Sequence, residues 1–197
     1  MTEDTVRVGK YTLESLTTGM YSDPKIVYRE YIQNSVDSLE NAVSLGLIEP
    51  QSMRIDIVIN AEESFISIKD NGTGIPADTA AATLMNVGSS KKRSANNRGF
   101  RGIGRLGGMS YCDTLVFTTS AENESVKTII SFDCKKLRRL LVPGEYEEMS
   151  LSAVLEEITS IVTLPEKLEK HYLCVEMKEV NGFSDLLDID TARSYIA

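Results

Sequence analysis

The chain has 197 residues, 42% of them hydrophobic and 25% charged, with a formal net charge of −8. That length suits one domain with a small extra element, and the composition is that of an ordinary soluble globular chain. The acidic balance excludes nucleic-acid binding by charge alone, and no apolar run approaches the roughly 20 residues of a membrane span.

Residues 1–10 read as a loose, acidic start rather than a signal peptide, and Tyr11–Gly19 as a short helix. Asp23-Pro24 opens a helix, with Asp as N-cap and Pro at the first helical position. The helix runs to about Leu45, where Gly46 ends it, and Pro50 marks a break. Arg54–Asn60 alternates, with Ile55, Ile57 and Ile59 on one face. After a turn at Ala61-Glu62-Glu63, Phe65–Asp70 alternates again, so the two form a hairpin. Asn71–Pro76 is a turn cluster, and Ala77–Val87 reads as a helix. Gly88–Arg101 is a polar, basic, glycine-bounded loop long enough to be a lid or binding loop. Gly102–Met109 starts another helix.

Thr114–Thr119 and Val126–Asp133 form a second hairpin around Ala121–Glu124. Residues 134–170 carry weaker signals: a strand is expected near Ile158–Leu164 and another before Pro143, with irregular chain between. Tyr172–Lys178 is a last strand, and the chain from Asp185 is helical. We expect one domain over 1–184 and the start of a further segment over 185–197. The order lacks a β-α-β alternation. It fits an α+β, two-layer sandwich: a mixed, mostly antiparallel sheet with helices on one face.

Three cysteines, Cys112, Cys134 and Cys174, form no C-x-x-C pair, and the single His171 does not complete a zinc set with them. They read as thiols of a reducing cytoplasm.

Within the helix opened by Asp23-Pro24, Glu30, Asn34 and Asp37 fall within about 60° of one another, opposite an apolar stripe of Tyr28, Ile32, Val36, Leu39 and Val43. A carboxylate stripe of this kind is by itself an ordinary solvated face. Two further motifs change that reading. Asp70-Asn-Gly72-Thr-Gly74 ends a strand in a turn. There a carboxylate can accept a hydrogen bond from an exocyclic amine, while glycines let backbone pass close to a flat base; an Asp-Asn-Gly turn is the plainer alternative. Gly99, Gly102, Gly104, Gly107 and Gly108 leave bare N–H groups near Lys91, Lys92, Arg98 and Arg101, a setting for phosphate. Gly102-Ile-Gly104-Arg-Leu-Gly107 spells a dinucleotide fingerprint, but it follows a polar run rather than a buried strand. Asn34 offers a neutral oxygen to Mg²⁺, and Glu30, one turn earlier, could take a proton from an attacking water.

Together, Glu30-x-x-x-Asn34-x-x-Asp37, Asp70-x-Gly72-x-Gly74 and Gly99-x-x-Gly102-x-Gly104 resemble, in order and spacing, the GHKL superfamily of DNA gyrase, the ninety-kilodalton heat-shock chaperone, histidine kinases and MutL. The resemblance covers about residues 8–180 and is strongest to the chaperone branch. Gly88-Ser89-Ser90-Lys91 and Gly99-Phe-Arg101-Gly102 are similar to MutL.

It implies the Bergerat ATP-binding fold, with ATP and Mg²⁺ as cofactors. Glu30 is then the general base, Asn34 the Mg²⁺ ligand, and Asp70 the acceptor of the adenine amine, with Gly72 and Gly74 by the base. Asp37 joins the nucleotide set. Residues 88–104 form the ATP lid, with Ser89, Ser90, Lys91, Gly99, Arg101, Gly102, Ile103 and Gly104 on the nucleotide.

Further implications are a slow ATPase in the isolated domain, helped in the full-length protein by a basic residue of a following domain, and nucleotide-dependent homodimerisation. No membrane partner is expected. A nucleotide-gated switch with negligible hydrolysis and a MutL-like repair module are the alternatives. One departure stands out: where the family has Gly-Thr near the last strand, this chain has His171-Tyr172.

Overall fold

The computed structural model describes residues 23–85, 104–142, 149–182 and 184–196. Helix α1 is Ile26–Ser44. Asp23 accepts the Lys25 N–H on Oδ1 at 3.0 Å, and the carbonyls of Asp23 and Pro24 take the next two N–H groups. The helix stops because Gly46 takes φ +71°. That left-handed turn lets the Gly46 and Leu47 N–H groups close on Val43 and Ala42 carbonyls at 3.0 and 2.9 Å.

The strands are β1 (Ile55–Asn60), β2 (Phe65–Asp70), β3 (Thr114–Ser120), β4 (Val126–Asp133), β5 (Thr159–Pro165) and β6 (Tyr172–Lys178). They form one sheet in the order β1-β2-β6-β3-β4-β5. Every pairing is antiparallel, so the expected sheet is found without any parallel pair. Its register stacks the core: Ile68 lies opposite Val175, and Phe117 opposite both Val175 and Ile130. With period-2 side chains, these residues share one face. Phe117 meets Tyr31 and Phe132 edge-on, with centroids 6.4 and 6.0 Å apart.

The described helices pack into that single core. They are α1, α2 (Ala77–Met85), α3 (Cys134–Leu140), α4 (Leu151–Ile158), α5 (Ser184–Leu187) and α6 (Ile189–Ile196), with a 3-10 helix at Gly104–Ser110. The stretch before Pro143, expected as a strand, is helix α3, and the chain expected to be irregular contains α4. Both have side-chain caps: Asp133 accepts the Lys136 N–H at 2.7 Å, and Ser150 accepts the Ala153 N–H at 3.2 Å. Cys134, Leu137 and Leu140 then share a buried face, as do Val154, Leu155 and Ile158.

The last two helices are folded onto the core. Leu186 and Ala192 are buried in it, and the Tyr28 hydroxyl donates to the Leu186 carbonyl at 2.5 Å.

Helix α1 is also turned relative to its expected apolar stripe. Its buried residues are Val27, Tyr28, Tyr31, Ser35, Leu39 and Ala42, while Ile32 and Val36 are only partly buried. The Tyr31 and Ser35 hydroxyls find partners inside, so the helix presents them to the sheet.

Candidate functional site

Asp70 closes β2 opposite Leu173 of β6. The residue is 2% exposed. Ser35 donates its hydroxyl to Oδ2 at 2.9 Å, and the Gly72 N–H donates to Oδ1 at 2.9 Å. Burial pushes the Asp70 pKa up, and hydrogen bonds from the Gly72 N–H, Ser35, the Leu173 N–H and Ser38 pull it partly back.

The turn after Asp70 is held from three sides. Ser38 of α1 accepts the Thr73 N–H at 3.0 Å. Thr119 of β3 accepts the Ile75 N–H at 2.7 Å and donates to the Tyr172 carbonyl at 3.0 Å. His171 Nδ1 lies 2.6 Å from the Gly72 carbonyl, so a protonated Nδ1 donates to it. The glycines are needed by this packing. A Cβ on Gly72 would stand 2.2 Å from Ser38 Oγ, and Gly74, at φ +63°, would put one 1.9 Å from the Ser120 carbonyl oxygen.

Above this floor lies a cavity of about 140 Å³. A cavity of roughly that size takes a benzene-sized group. One wall is α1, through Tyr31, Asn34, Ser35, Ser38 and Asn41. The turn adds Thr73, Gly74 and Ile75, α2 adds Thr83 and Leu84, and the sheet adds Phe117, Leu173 and Val175. The slot thus has apolar faces for a flat ring, and two of its lining residues, Ser35 and Leu173, are the immediate neighbours of the buried Asp70 carboxylate.

Arg105, in the 3-10 helix, lines the same cavity. The Tyr31 hydroxyl ties that helix to α1, donating to the Arg105 carbonyl at 3.0 Å and accepting the Gly108 N–H at 3.1 Å. The fit is close, since a Cβ on Gly108 would come within 2.4 Å of that hydroxyl.

The structure places Asn34 and Gly74 in the lining of one cavity, with Asp70 and Gly72 behind that lining, where Asp70 bonds the lining residue Ser35. Glu30 is partly buried one turn before Asn34 and is not among the described residues lining it. Burial raises the Glu30 pKa, and the Arg29 charge opposes this. Asp37 lies on another flank of α1, in a second cavity with Arg29, Ile32, Gln33, Val36, Tyr195 and Ile196. Gly104 begins the 3-10 helix. Ser89, Ser90, Lys91, Gly99, Arg101, Gly102 and Ile103 lie outside the described residues.

Sequence reasoning missed Ser35, Ser38, Thr119 and the inward side of Arg105. The helical spacing of Ser38 from Asn34 was the available signal. His171, noted for standing in the family's Thr position, braces the turn through Gly72.

A family model described as "Histidine kinase-, DNA gyrase B-, and HSP90-like ATPase" matches residues 21–159. Over 84 residues the chain is 29% identical to the chaperone protein HtpG of Acinetobacter baylyi, a match covering 40% of this chain and 13% of that protein.

Proposed function

Since the chain belongs to the histidine kinase-, DNA gyrase B- and HSP90-like ATPase family, as an ATP-binding, ATPase-type domain, we propose that it binds ATP with Mg²⁺ in the Asp70 cavity and hydrolyses it. The adenine ring enters the slot between α1 and the sheet, and its exocyclic amine donates to Asp70. The observation that carries this reading is the buried Asp70 carboxylate, bonded to Ser35 and Gly72, beside a ring-sized slot that Ser35 itself lines.

Asn34 offers one amide oxygen at the cavity wall. That donor fits Mg²⁺, which keeps several waters and takes much of its shell from phosphates. Bound there, the cation would neutralise charge on the phosphate oxygens. Glu30, one turn away, takes a proton from the attacking water; its raised pKa brings it nearer the range of a working base.

Residues 88–104, glycine-bounded and basic, close over the phosphates as a lid in this reading. The partial likeness to a chaperone protein supports an output of that kind, in which nucleotide-dependent closure alters contacts between two copies of the full-length protein. The free thiols of Cys112, Cys134 and Cys174 support a cytoplasmic setting.

The test is a thermal melt with and without Mg²⁺-ATP. Ligand at 100 times its dissociation constant adds about 2.7 kcal/mol, a rise of about 5–10 °C for a domain of this size. A midpoint unmoved by millimolar ATP or adenosine contradicts the proposal.

A further inference from the structure

Arg105 is a cationic side chain in the cavity wall that the proposed chemistry does not use. Its guanidinium is partly buried, and Nη1 donates to a neutral acceptor, the Thr83 carbonyl near the end of α2. Among the described residues no carboxylate lies within 4.0 Å of it, as is also true of Arg29 and Arg139, while Arg54, Arg138 and Arg193 are paired with Asp56, Asp113 and Asp190. Burial lowers the Arg105 pKa, which is the sign of a charge held away from water without full compensation. A guanidinium in that position gains most from an anion that accepts two parallel hydrogen bonds.

The placement adds the class of anion. Asp70 meets α1 at Ser35, and the following turn meets it at Ser38. The Arg105 backbone meets α1 at Tyr31, four to seven residues earlier. At 1.5 Å per residue that is about 6–10 Å along the helix, with Asn34 on the same wall between them. A ligand whose ring lies by Asp70 and whose sugar and phosphates run along the Asn34 side of the slot would bring them toward Arg105. The Tyr31 bonds fix the backbone at Arg105 and Gly108, while the long side chain is tied by a bond to one carbonyl and is free to trade it for a ligand.

We propose that Arg105 binds the phosphates of the nucleotide and is what makes this cavity prefer nucleoside di- and triphosphates over the bare nucleoside. This rests on the reading of the Asp70 cavity as an adenine site.

The experiment is calorimetric titration of adenosine, ADP and ATP into the 197-residue chain and its Arg105→Gln and Arg105→Lys variants, at low and at raised salt. Gln keeps an N–H for Thr83 but loses the charge; Lys keeps both a donor and the charge. Arg105→Gln is expected to bind adenosine within twofold of the wild type, which also reports an intact fold. It should weaken ADP and ATP by about 10- to 100-fold, the worth of a hydrogen bond to a charged group, and flatten the salt dependence of ATP binding. Arg105→Lys should recover much of the loss. Wild-type affinity for ADP and ATP in Arg105→Gln overturns the proposal and leaves the adenine site standing. Equal weakening of all three ligands also overturns it, since Arg105 would then only brace α2. A wild type that binds none of the three overturns the adenine site and this proposal together.

Discussion

At the Asp70 end of the cavity, a buried carboxylate takes hydrogen bonds from Ser35 and Gly72, and the turn behind it is pinned by Ser38, Thr119 and His171. At the Arg105 end, the backbone is fixed by Tyr31, but the guanidinium rests on one neutral carbonyl. A flat base presents the same few donors and acceptors each time, so rigid, pre-arranged partners suit it. Phosphates differ in number and charge between substrate and product, and a long side chain with an exchangeable partner suits them. On the proposed nucleotide reading, the contrast separates what the cavity would recognise from what it would respond to.

Three changes break or sharpen that contrast. The largest effect is expected from Glu30→Ala, near the phosphate end. A positioned general base contributes about 10²–10⁴-fold. Turnover should fall by that range with ATP affinity nearly unchanged, because the proposed role of Glu30 is on the attacking water rather than on the nucleotide. Since its pKa is raised, wild-type turnover should also decline on acidification at a higher pH than an ordinary glutamate would give. Turnover within twofold of wild type would favour a switch that binds ATP without relying on Glu30.

The next effect tests the rigidity of the Asp70 end. Gly74→Ala places a side chain at φ +63° and 1.9 Å from the Ser120 carbonyl oxygen. The left-handed penalty and the overlap together should cost about 2–4 kcal/mol, read by denaturant unfolding. Gly46→Ala is the control: φ is +71°, but no atom lies within 4 Å of the added Cβ, so only about 1–2 kcal/mol is expected. Equal losses at the two positions would mean that the turn yields as easily as a helix end.

Much of the frame was legible in the chain. Asp23-Pro24 and Gly46 bracket α1, and alternation drew β1, β2, β4 and β6 to within a residue or so, because these elements carry local signals. Helix α3 was not, because Asp133 ends β4 and caps α3 at once, leaving no loop composition between strand and helix. Within α1, the aliphatic count pointed to Ile32 and Val36 as core, whereas Tyr31 and Ser35 go inside because Gly108 and Asp70 supply their partners. Partners 35 and 77 residues away leave no trace in a helical wheel. The same limit hid the cavity: Asp70 was visible as a carboxylate ending a strand, but the serines that hold it were not.

Asp70→Asn is the third change, read by calorimetric titration of adenosine and ATP into the wild type and the variant at pH 7, with a melt of each. The folded pKa of Asp70 lies above its unfolded value, so its ionised form costs stability at neutral pH, and protonation on acidification relieves that cost. The neutral amide should therefore melt no lower than the wild type at pH 7. Loss of the charged acceptor should weaken both ligands by about 1.5–3 kcal/mol. Wild-type affinity should fall as the pH drops through the raised carboxylate pKa, and the variant should lack that fall. A folded Asp70→Asn that binds adenosine and ATP as tightly as the wild type would contradict the assignment of this cavity to adenine.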